Sequence, residues 1–314
     1  MKPEILVLVP IYAPTLAELE REYTVRKLWT EKDPDSYMKQ ACGKVRGVVT
    51  TGLAGFARRH VEALPALEII ACFGNPHGAG PDDRAAATQR RLVVTNTPDF
   101  ITAPVADLAM GLIISTMRRI SAGDRFVRAG KWLAGPAPVG RGLGGKTCGI
   151  IGLGRIGREI AKRAEAFGMS VCYHGPRPKP DVAWPYHSDL EGMARASDCL
   201  VVMCPETPAT RGMINARILE ALGPDGFLIN VARGPIVDEA ALISALRNGR
   251  IAGAGLDVFW DEPRVPAELL GLDNVVLLPH IGSTTREIRD ERGRKLLANL
   301  AVYFAGKPVP YPVT

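Results

Sequence analysis

Short apolar runs of strand length alternate with helix-compatible stretches along almost the whole chain of 314 residues. Runs that are apolar at nearly every position are typical of parallel strands buried on both faces, with the intervening helices as cover. The sequence therefore predicts an α/β fold with doubly wound parallel sheets. The runs lie at residues 5–9, 46–50, 67–73, 92–96, 146–152, 170–174, 199–204, 227–232, 252–259 and 275–280.

The order of these runs predicts two domains. The last six runs follow a long segment, 99–132, in which apolar residues recur at helical spacing, and they continue without interruption to about residue 283. The helical stretch 284–306 is then expected to return to the first group of strands. We therefore expect one domain, 99–283, to be inserted into another that is formed by 1–98 plus 284–314.

Charge and cysteine usage limit the classes of partner. The formal net charge is +6, but Lys and Arg are scattered and no basic run lies beside an aromatic cluster. We expect no nucleic-acid partner, and a basic surface that attracts small anions.

The six cysteines show no CxxC spacing, which favours a reducing compartment and no metal site. The first apolar run is too short for a signal peptide and no stretch has 18 continuous apolar residues, so we expect a cytoplasmic protein without a membrane span.

GLGRIG at 152–157 matches the pattern G-x-G-x-x-G. It follows the apolar run CGII and precedes the helical pattern REIAKRAEAFG, which is the context that a dinucleotide-binding loop requires. Gly152 permits the tight turn, Gly154 lets a pyrophosphate approach the backbone, and Gly157 lets the helix pack on the strand. The start of the helix then offers N–H groups to the phosphates. The pattern predicts a nicotinamide dinucleotide site.

The stretch VCYHGPRPKP, 171–180, indicates which dinucleotide is bound. An NAD site places Asp or Glu about 20 residues after the first glycine, to accept from the ribose 2′-hydroxyl. Here that position is Cys172, and Arg177 and Lys179 follow. Guanidinium and ammonium groups suit a 2′-phosphate, so we expect NADP(H) to be preferred, with NAD(H) also accepted. The alternative to a phosphate site is a basic loop that is exposed to solvent and stiffened by its three prolines.

Arg233, Glu262 and His280 each follow a different strand-like run of the same predicted sheet. Open α/β sheets bind their ligands at the carboxyl ends of the strands. There a hydride-transfer enzyme needs a proton donor for a carbonyl oxygen, a carboxylate to orient that donor and a cation to bind a carboxylate substrate, and these residue types suit those tasks. Each also has an ordinary alternative, as a loop cation, a turn residue before Pro263, or a histidine bonded to backbone.

Four motifs taken together resemble the D-isomer-specific 2-hydroxyacid dehydrogenase family: GLGRIG, VARGPIVDEAAL, GLDVFWDEP and LLPHIGSTT, in this order. Within the family the chain is most similar to glyoxylate/hydroxypyruvate and hydroxyphenylpyruvate reductases. The resemblance is strong over residues 90–314 and weaker over residues 1–90. The resemblance implies a Rossmann nucleotide-binding domain inserted into a flavodoxin-like substrate-binding domain, with a cleft between the two. It also implies a homodimer, formed through a helix and arm at about 99–145.

The resemblance also implies roles for single residues. Arg233 would bind the carboxylate and carbonyl of the substrate, His280 would be the general acid/base, and Glu262 would pair with His280. The implied cofactor-binding residues, with those of the glycine loop, are Gly152, Gly154, Arg155, Ile156, Gly157, Arg177, Cys204, Thr210, Val231, Ala232, Asp257, Gly282, Ser283 and Val105. Trp132 of the partner subunit would reach the active site, with simple dimer packing as its alternative.

One loop departs from the family pattern. After the run 67–73 the family usually has a short Ser-Val-Gly type loop whose amides hold the substrate carboxylate, whereas this chain has GNPHGAGPDD at 74–83. Gly74 with Asn75, or Ala79 with Gly80, could fill that role. His77 could enter the substrate pocket or be solvated. This loop leaves the identity of the 2-oxo acid open.

The expected function is the NADPH-dependent reduction, by hydride transfer, of a small 2-oxo acid of the glyoxylate/hydroxypyruvate type to the D-2-hydroxy acid. One alternative is a dinucleotide-sensing, corepressor-like interaction protein, although we expect no partner-recruiting tail. Another alternative is an NAD-dependent phosphoglycerate dehydrogenase, many of which have a C-terminal regulatory domain and an acidic residue after the second strand. The expected partners are the 2-oxo or 2-hydroxy acid and a second copy of the chain.

Overall fold

The computed structural model describes residues 2–76, 78–98 and 101–313. Over those residues the chain divides into two compact units. Unit 1 comprises Met1–Phe100 with Thr285–Thr314, and unit 2 comprises Ile101–Thr284. The first domain boundary expected from the sequence lies between residues 98 and 99. Residues 99 and 100 lie outside the described residues, and so does His77.

Unit 1 is built on a parallel sheet. Its first elements are β1 (Glu4–Val7), α1 (Ala13–Glu22), β2 (Thr24–Lys27), α2 (Pro34–Ala41), β3 (Val45–Thr51), α3 (Arg58–Ala63), β4 (Ile69–Phe73), α4 (Pro81–Gln89) and β5 (Val93–Thr95). Within the described residues the strand order is β2-β1-β3-β4-β5, and every neighbouring pair is parallel. This is the flavodoxin-like order.

The edge strand β2 is absent from the strands expected from the sequence. Its sequence, TVRK, has no apolar run, because its side chains are exposed or only half-buried. An edge strand packs on one neighbour only, so its sequence is under a weaker apolar constraint than that of a central strand. The central strand β4, in contrast, is buried at all five positions.

Unit 2 is built on a second parallel sheet. Its elements are α5 (Thr102–Met117), α6 (Ile120–Arg128), β6 (Thr147–Ile151), α7 (Arg155–Ala166), β7 (Ser170–His174), β8 (Tyr186–His187), α8 (Leu190–Arg195), β9 (Cys199–Val202), α9 (Ala216–Leu222), β10 (Phe227–Asn230), α10 (Glu239–Arg247), β11 (Gly253–Leu256), α11 (Ala267–Leu270) and β12 (Val275–Leu277). Over the described residues the strand order is β12-β11-β10-β9-β6-β7-β8. This is the Rossmann order with one further strand, and the order reverses between β6 and β9.

The α/β class expected from the sequence is confirmed in both units. Alternate residues of the second sheet point into two separate cores. Ile150 and Ile229 pack with α5 and α7, whereas Leu200 and Leu228 pack with α9 and α10. This double burial is the physical reason why these strands are apolar at nearly every position.

The long helical segment expected over 99–132 is two helices. α5 ends at Met117, Arg119 has a left-handed backbone (φ 57°), and α6 begins at Ile120. α5 is buried along one side, whereas none of the residues of α6, all of which the structure describes, is buried.

After unit 2 the chain returns to unit 1 as α12 (Arg286–Phe304). The side chain of Thr285 accepts from the Ile288 N–H and begins this helix. Leu296 and Leu300 of α12 pack on the first sheet, so the helix completes the cover of unit 1. None of the helices within the described residues combines the length and the apolar character needed to cross a membrane.

Candidate active site

The carboxyl ends of three adjacent strands of unit 2 hold the candidate catalytic residues. Arg233 follows β10, Glu262 lies in the loop after β11, and His280 follows β12. The strands stand in the order β12-β11-β10, so these segments leave the same edge of one sheet. The tertiary structure thus places at one edge three residues that are up to 47 positions apart in sequence (280 − 233).

His280 and Glu262 are in direct contact. Nδ1 of His280 lies 2.6 Å from Oε2 of Glu262. The other carboxylate oxygen, Oε1, accepts the backbone N–H of Phe259 at 3.1 Å. The Glu262 side chain is the more buried of the pair, with 18% of its surface exposed against 38% for His280. The carboxylate is therefore held from both sides, and it fixes the orientation of the imidazole ring.

Asp257 organises the backbone around His280. Its carboxylate accepts the N–H of Ile281 at 2.8 Å and that of Gly282 at 2.9 Å, and its own carbonyl accepts the N–H of His280 at 2.9 Å. Burial raises the pKa of the Asp257 carboxyl, and the two backbone N–H donors oppose that rise. His280 itself has a left-handed backbone, with φ 53°. A non-glycine residue keeps this conformation where its surroundings hold it there, as the three bonds to Asp257 do here.

Asn230 fixes the turn that carries Arg233. It is 1% exposed, its Nδ2 donates to the carbonyl of Arg233 at 2.9 Å, and its Oδ1 accepts the N–H of Ala232 at 3.0 Å. Nη1 of Arg233 donates to the Ala232 carbonyl at 2.6 Å. The next residue, Gly234, packs so closely that a Cβ there would lie 2.1 Å from the Phe259 carbonyl carbon. The Arg233 turn therefore lies directly against the segment that leads to Glu262.

The glycine loop has the shape that a dinucleotide needs. Gly152 has φ 99°, and a Cβ on it would lie 2.7 Å from the backbone of Cys204. A Cβ on Gly157 would lie 2.4 Å from the carbonyl oxygen of Gly152, so helix α7 packs tightly on the loop. A Cβ on Gly154 would meet nothing within 4 Å, and this glycine is exposed at the start of α7. The open space lies at the start of α7, where the first N–H groups of a helix have no partner within the helix, which fits a pyrophosphate.

The other expected cofactor residues lie around this edge of unit 2. A Cβ on Gly282 would lie 3.1 Å from Oδ2 of Asp257 and 3.4 Å from Cγ2 of Val105, so these three residues adjoin. Arg155 is exposed and Ile156 half-buried in the first turn of α7, and Arg177 is exposed after β7. The positions of the rest are as follows: Cys204, Val231 and Ala232 are buried after β9 and β10, and Ser283 is half-buried after Gly282.

Thr210 has its hydroxyl engaged inside its own loop. Its Oγ1 donates to the carbonyl of Pro205 at 2.8 Å and accepts the N–H of Thr207 at 2.8 Å. The side chain therefore shapes the loop after β9. Strands β9 and β6 are neighbours at the point where the strand order reverses, so this loop follows the strand next to the one that leads into the glycine loop.

In unit 1 the two candidate pairs for the substrate carboxylate lie after β4. The N–H of Gly74 donates to Oγ1 of Thr97 at 2.7 Å, and the Asn75 side chain accepts from Asn96 at 2.7 Å. In the alternative pair, the N–H of Gly80 donates to Asp83 at 2.8 Å. The backbone amides of both glycines are thus engaged within unit 1. His77, between the two pairs, lies outside the described residues.

Trp132 lies in unit 2, in the turn after α6. It is 68% exposed, and the neighbouring Leu133 is 97% exposed.

Asn230 is a residue beside the candidate catalytic residues that the sequence did not single out. Asn230 left a signal, since it is a polar residue within the apolar run FLINVA. A buried amide at the end of a strand requires partners, and here these are the backbone groups beside Arg233.

Comparison with known proteins identifies the family. Residues 110–282 match the family model described as D-isomer specific 2-hydroxyacid dehydrogenase, NAD binding domain. The chain is 43% identical over 309 residues to glyoxylate/hydroxypyruvate reductase A of Arabidopsis thaliana, covering 98% of each. It is also 43% identical over 309 residues to hydroxyphenylpyruvate reductase of Plectranthus scutellarioides, again covering 98% of each.

A solved structure agrees with these relatives. The NADPH-dependent glyoxylate/hydroxypyruvate reductase of Sinorhizobium meliloti, in complex with citrate, superposes with a TM-score of 0.84 at 41% identity, covering 100% of this chain and 98% of that one. The geometry of the glycine loop and the contact between His280 and Glu262 are consistent with the activity for which these relatives are named. We conclude that the chain is an oxidoreductase that belongs to the D-isomer specific 2-hydroxyacid dehydrogenase family.

Proposed function

We propose that the protein reduces a small 2-oxo acid of the glyoxylate or hydroxypyruvate type to the D-2-hydroxy acid, with NADPH as the preferred reductant and NADH as a possible one. The observation that carries this proposal is the contact of 2.6 Å between His280 and Glu262, beside the turn of Arg233. The relatives are named as reductases, which favours this function over a corepressor-like protein and over a phosphoglycerate dehydrogenase.

Arg233 would bind the substrate. A guanidinium group can donate two parallel hydrogen bonds to a carboxylate and can also polarise a neighbouring carbonyl. The bonds from Asn230 hold the backbone of the Arg233 turn, so the cation is positioned before the substrate arrives. Preorganised charge of this kind stabilises the oxyanion that develops as the carbonyl is reduced.

His280 would supply the proton. Its Nδ1 faces Glu262, which leaves Nε2 as the atom that delivers a proton to the substrate oxygen. Glu262 stabilises the imidazolium form before transfer, and it holds the ring in one orientation throughout. In the reverse direction, Nε2 would accept the proton of the 2-hydroxyl group.

The cofactor would lie along the carboxyl edge of the sheet of unit 2. The exposed start of α7 at Gly154 and Arg155 would bind the pyrophosphate, and Arg177 with Lys179 would bind the 2′-phosphate. Val105, Asp257 and Gly282 would adjoin the nicotinamide. When bound, the reduced nicotinamide supplies the hydride that the keto carbon accepts. The Sinorhizobium meliloti relative was solved with NADP and malonate, which supports this assignment.

The same proposal includes a homodimer in the cytoplasm. α6 and the turn after it expose a set of apolar side chains that a second copy would cover: Ile120, Val127, Trp132 and Leu133. Trp132 of the partner subunit would then approach the substrate. Gly74 with Asn75, or Ala79 with Gly80, remain the candidates for substrate contact in unit 1. All six cysteines lie in the described part of the chain and are free and buried, which suits a reducing compartment.

One panel of assays tests the proposed function. Glyoxylate, hydroxypyruvate and 4-hydroxyphenylpyruvate are each supplied with NADPH or NADH, and oxidation of the cofactor is followed by absorbance. We expect turnover of at least one of these acids, with the higher kcat/KM for NADPH. A protein that turns over none of them with either cofactor would contradict the proposal. A clear preference for NADH would overturn the cofactor assignment alone.

A further inference from the structure

Two tyrosines hold the turn that carries Arg177 and Lys179. The hydroxyl of Tyr173, on β7, accepts the backbone N–H of Lys179 at 2.6 Å. The hydroxyl of Tyr186, on the neighbouring strand β8, donates to the carbonyl of Gly175 at 3.0 Å. The two tyrosines are register partners, with ring centroids 5.4 Å apart. The turn is thus bound near both of its ends by phenol groups that project from the sheet.

The hydroxyl of Tyr173 has few alternatives as an anchor. Residues 176, 178 and 180 are prolines, which carry no amide hydrogen. Within 176–180, only Arg177 and Lys179 can donate a backbone hydrogen bond, and Tyr173 accepts the one from Lys179. Tyr173 is 2% exposed, so its position is fixed by the core around it. Loss of this hydroxyl would remove one of the two phenol links between the sheet and the basic turn.

Arg158 pairs with the one acidic residue of the segment 170–188. Asp181 is the only carboxylate in the sequence from 170 to 188. Arg158, on α7, binds it at two points, with Nη2 3.0 Å from Oδ1 and Nη1 2.9 Å from Oδ2. This contact lowers the pKa of the Asp181 carboxyl, which therefore stays ionised and paired. An uncovered carboxylate here would repel a phosphate that binds to Arg177 and Lys179.

The Arg158–Asp181 pair contributes little to the stability of the fold. The side chain of Asp181 is 64% exposed, and exposed ion pairs stabilise folded proteins by only about 0–1 kcal/mol. The pair also ties the end of the basic turn to α7, the helix that begins at the glycine loop. The start of α7, assigned to the pyrophosphate, and the basic turn, assigned to the 2′-phosphate, are therefore connected through Arg158.

We propose that Tyr173 and the Arg158–Asp181 pair are positioning residues that set the preference for the 2′-phosphate. Tyr173 holds the backbone of the basic turn, and Arg158 masks the carboxylate that would oppose the phosphate. This inference rests on the proposed function, specifically on the assignment of Arg177 and Lys179 to the 2′-phosphate. The inference adds three residues to those assigned to the 2′-phosphate. These residues do not touch the phosphate, but they decide how tightly the phosphate is bound.

The test measures binding without turnover. Full-length protein is titrated by calorimetry with 2′,5′-ADP, which carries the 2′-phosphate, and with 5′-AMP, which lacks it. The wild type is expected to bind 2′,5′-ADP more tightly. Tyr173→Phe removes one hydrogen bond and should raise the Kd for 2′,5′-ADP about three- to tenfold, with a change of less than about twofold for 5′-AMP.

The ion pair is tested by a double-mutant cycle. Arg158→Ala uncovers Asp181 and should raise the Kd for 2′,5′-ADP several-fold, whereas the double variant Arg158→Ala with Asp181→Asn should bind it more tightly than Arg158→Ala alone. Matched controls are Tyr23→Phe, a buried tyrosine of unit 1, and Arg58→Ala, which breaks the exposed pair with Glu62 on α3. Both controls should leave the two constants unchanged.

The outcomes separate this inference from the cofactor assignment. If Arg177→Ala loses the preference while Tyr173→Phe and Arg158→Ala keep it, the inference is overturned and the assignment stands. Equal weakening of both ligands in the Tyr173 and Arg158 variants also overturns it, because that marks a merely structural effect. If wild type does not prefer 2′,5′-ADP, the assignment fails and the inference fails with it. Should Tyr173→Phe not fold, the exposed ion pair decides the question by itself.

Discussion

Nδ1 of His280 lies 2.6 Å from Oε2 of Glu262, and the second oxygen of that carboxylate is held by the backbone N–H of Phe259. Glu262 is thus bonded to the imidazole through one oxygen and to the main chain through the other. A carboxylate in this position orients the ring and stabilises its protonated form, which a glutamine of nearly the same shape cannot do.

Glu262→Gln should therefore lower kcat by about 10²-fold or more, because the imidazolium loses its counter-charge while the geometry is nearly kept. Steady-state rates with the best 2-oxo acid of the panel measure this effect, and cofactor titration should show an unchanged Kd. A kcat within about twofold of wild type would exclude the proposed role of Glu262.

Arg233→Lys tests the substrate site. An ammonium group keeps the charge but cannot donate two parallel hydrogen bonds to a carboxylate, so kcat/KM should fall by about 10²–10³-fold. Initial rates over a range of substrate concentrations give this value, with cofactor binding as the control. A lysine variant that retains wild-type kcat/KM would show that a point charge suffices and that no bidentate contact is made.

Asn230→Ala should affect both stability and catalysis. It leaves the buried N–H of Ala232 without its partner, at about 1–3 kcal/mol, and the part-buried carbonyl of Arg233 without its own, at a smaller cost. We expect a lower free energy of unfolding and a lower kcat/KM, measured by urea unfolding and by rate assays. Asn248→Ala is the matched control, since Asn248 lies at an exposed position directly after α10 and its side chain bonds to Ser244. Equal effects of the two variants would argue against a special role for Asn230.

Gly152 and Gly154 should respond differently to alanine. At Gly152 the backbone has φ 99° and a Cβ would lie 2.7 Å from Cys204, so Gly152→Ala should destabilise the protein by about 2 kcal/mol or more. At Gly154 a Cβ would meet nothing within 4 Å, so Gly154→Ala should fold normally and bind NADPH more weakly by about tenfold or more. Thermal unfolding and NADPH titration measure both. Normal NADPH binding by Gly154→Ala would contradict the placement of the pyrophosphate.

His60 predicts a pH dependence of stability in unit 1. Burial lowers the pKa of His60 from 6.5 to about 4, and its Nδ1 accepts the N–H of Ala57. The unfolded chain binds the proton first as the pH falls, so stability is lost from about pH 6.5 down to about pH 4. The loss amounts to about 3 kcal/mol once the pH is below both values.

His60→Gln should show a smaller loss of stability over the same interval, because glutamine does not titrate there. Urea unfolding of both proteins at several pH values between 7.5 and 4 measures the difference. Identical slopes of the free energy of unfolding against pH would show that His60 is not the group responsible.

Much of the fold follows from the sequence because burial on two faces imposes a pattern. The strands that lie inside both sheets are apolar at almost every position, so their positions along the chain and the α/β class could be predicted. The edge strand β2 could not, since TVRK is exposed or half-buried and carries no apolar signal. The break between α5 and α6 at Arg119 was also not predicted, because helical spacing continues on both sides of a single left-handed residue.

The sequence by itself determined the chemistry that the candidate site offers: a glycine loop between a strand and a helix, a basic turn in place of an acidic residue, and an arginine, a glutamate and a histidine after successive strands. Only the tertiary structure decided that the glutamate meets the histidine, that Asp257 holds the His280 backbone, and that Tyr173 and Arg158 support the basic turn. Local patterns report which residues are buried in an element. Contacts between residues far apart depend on how parallel strands bring their carboxyl ends to one edge, which local spacing does not encode.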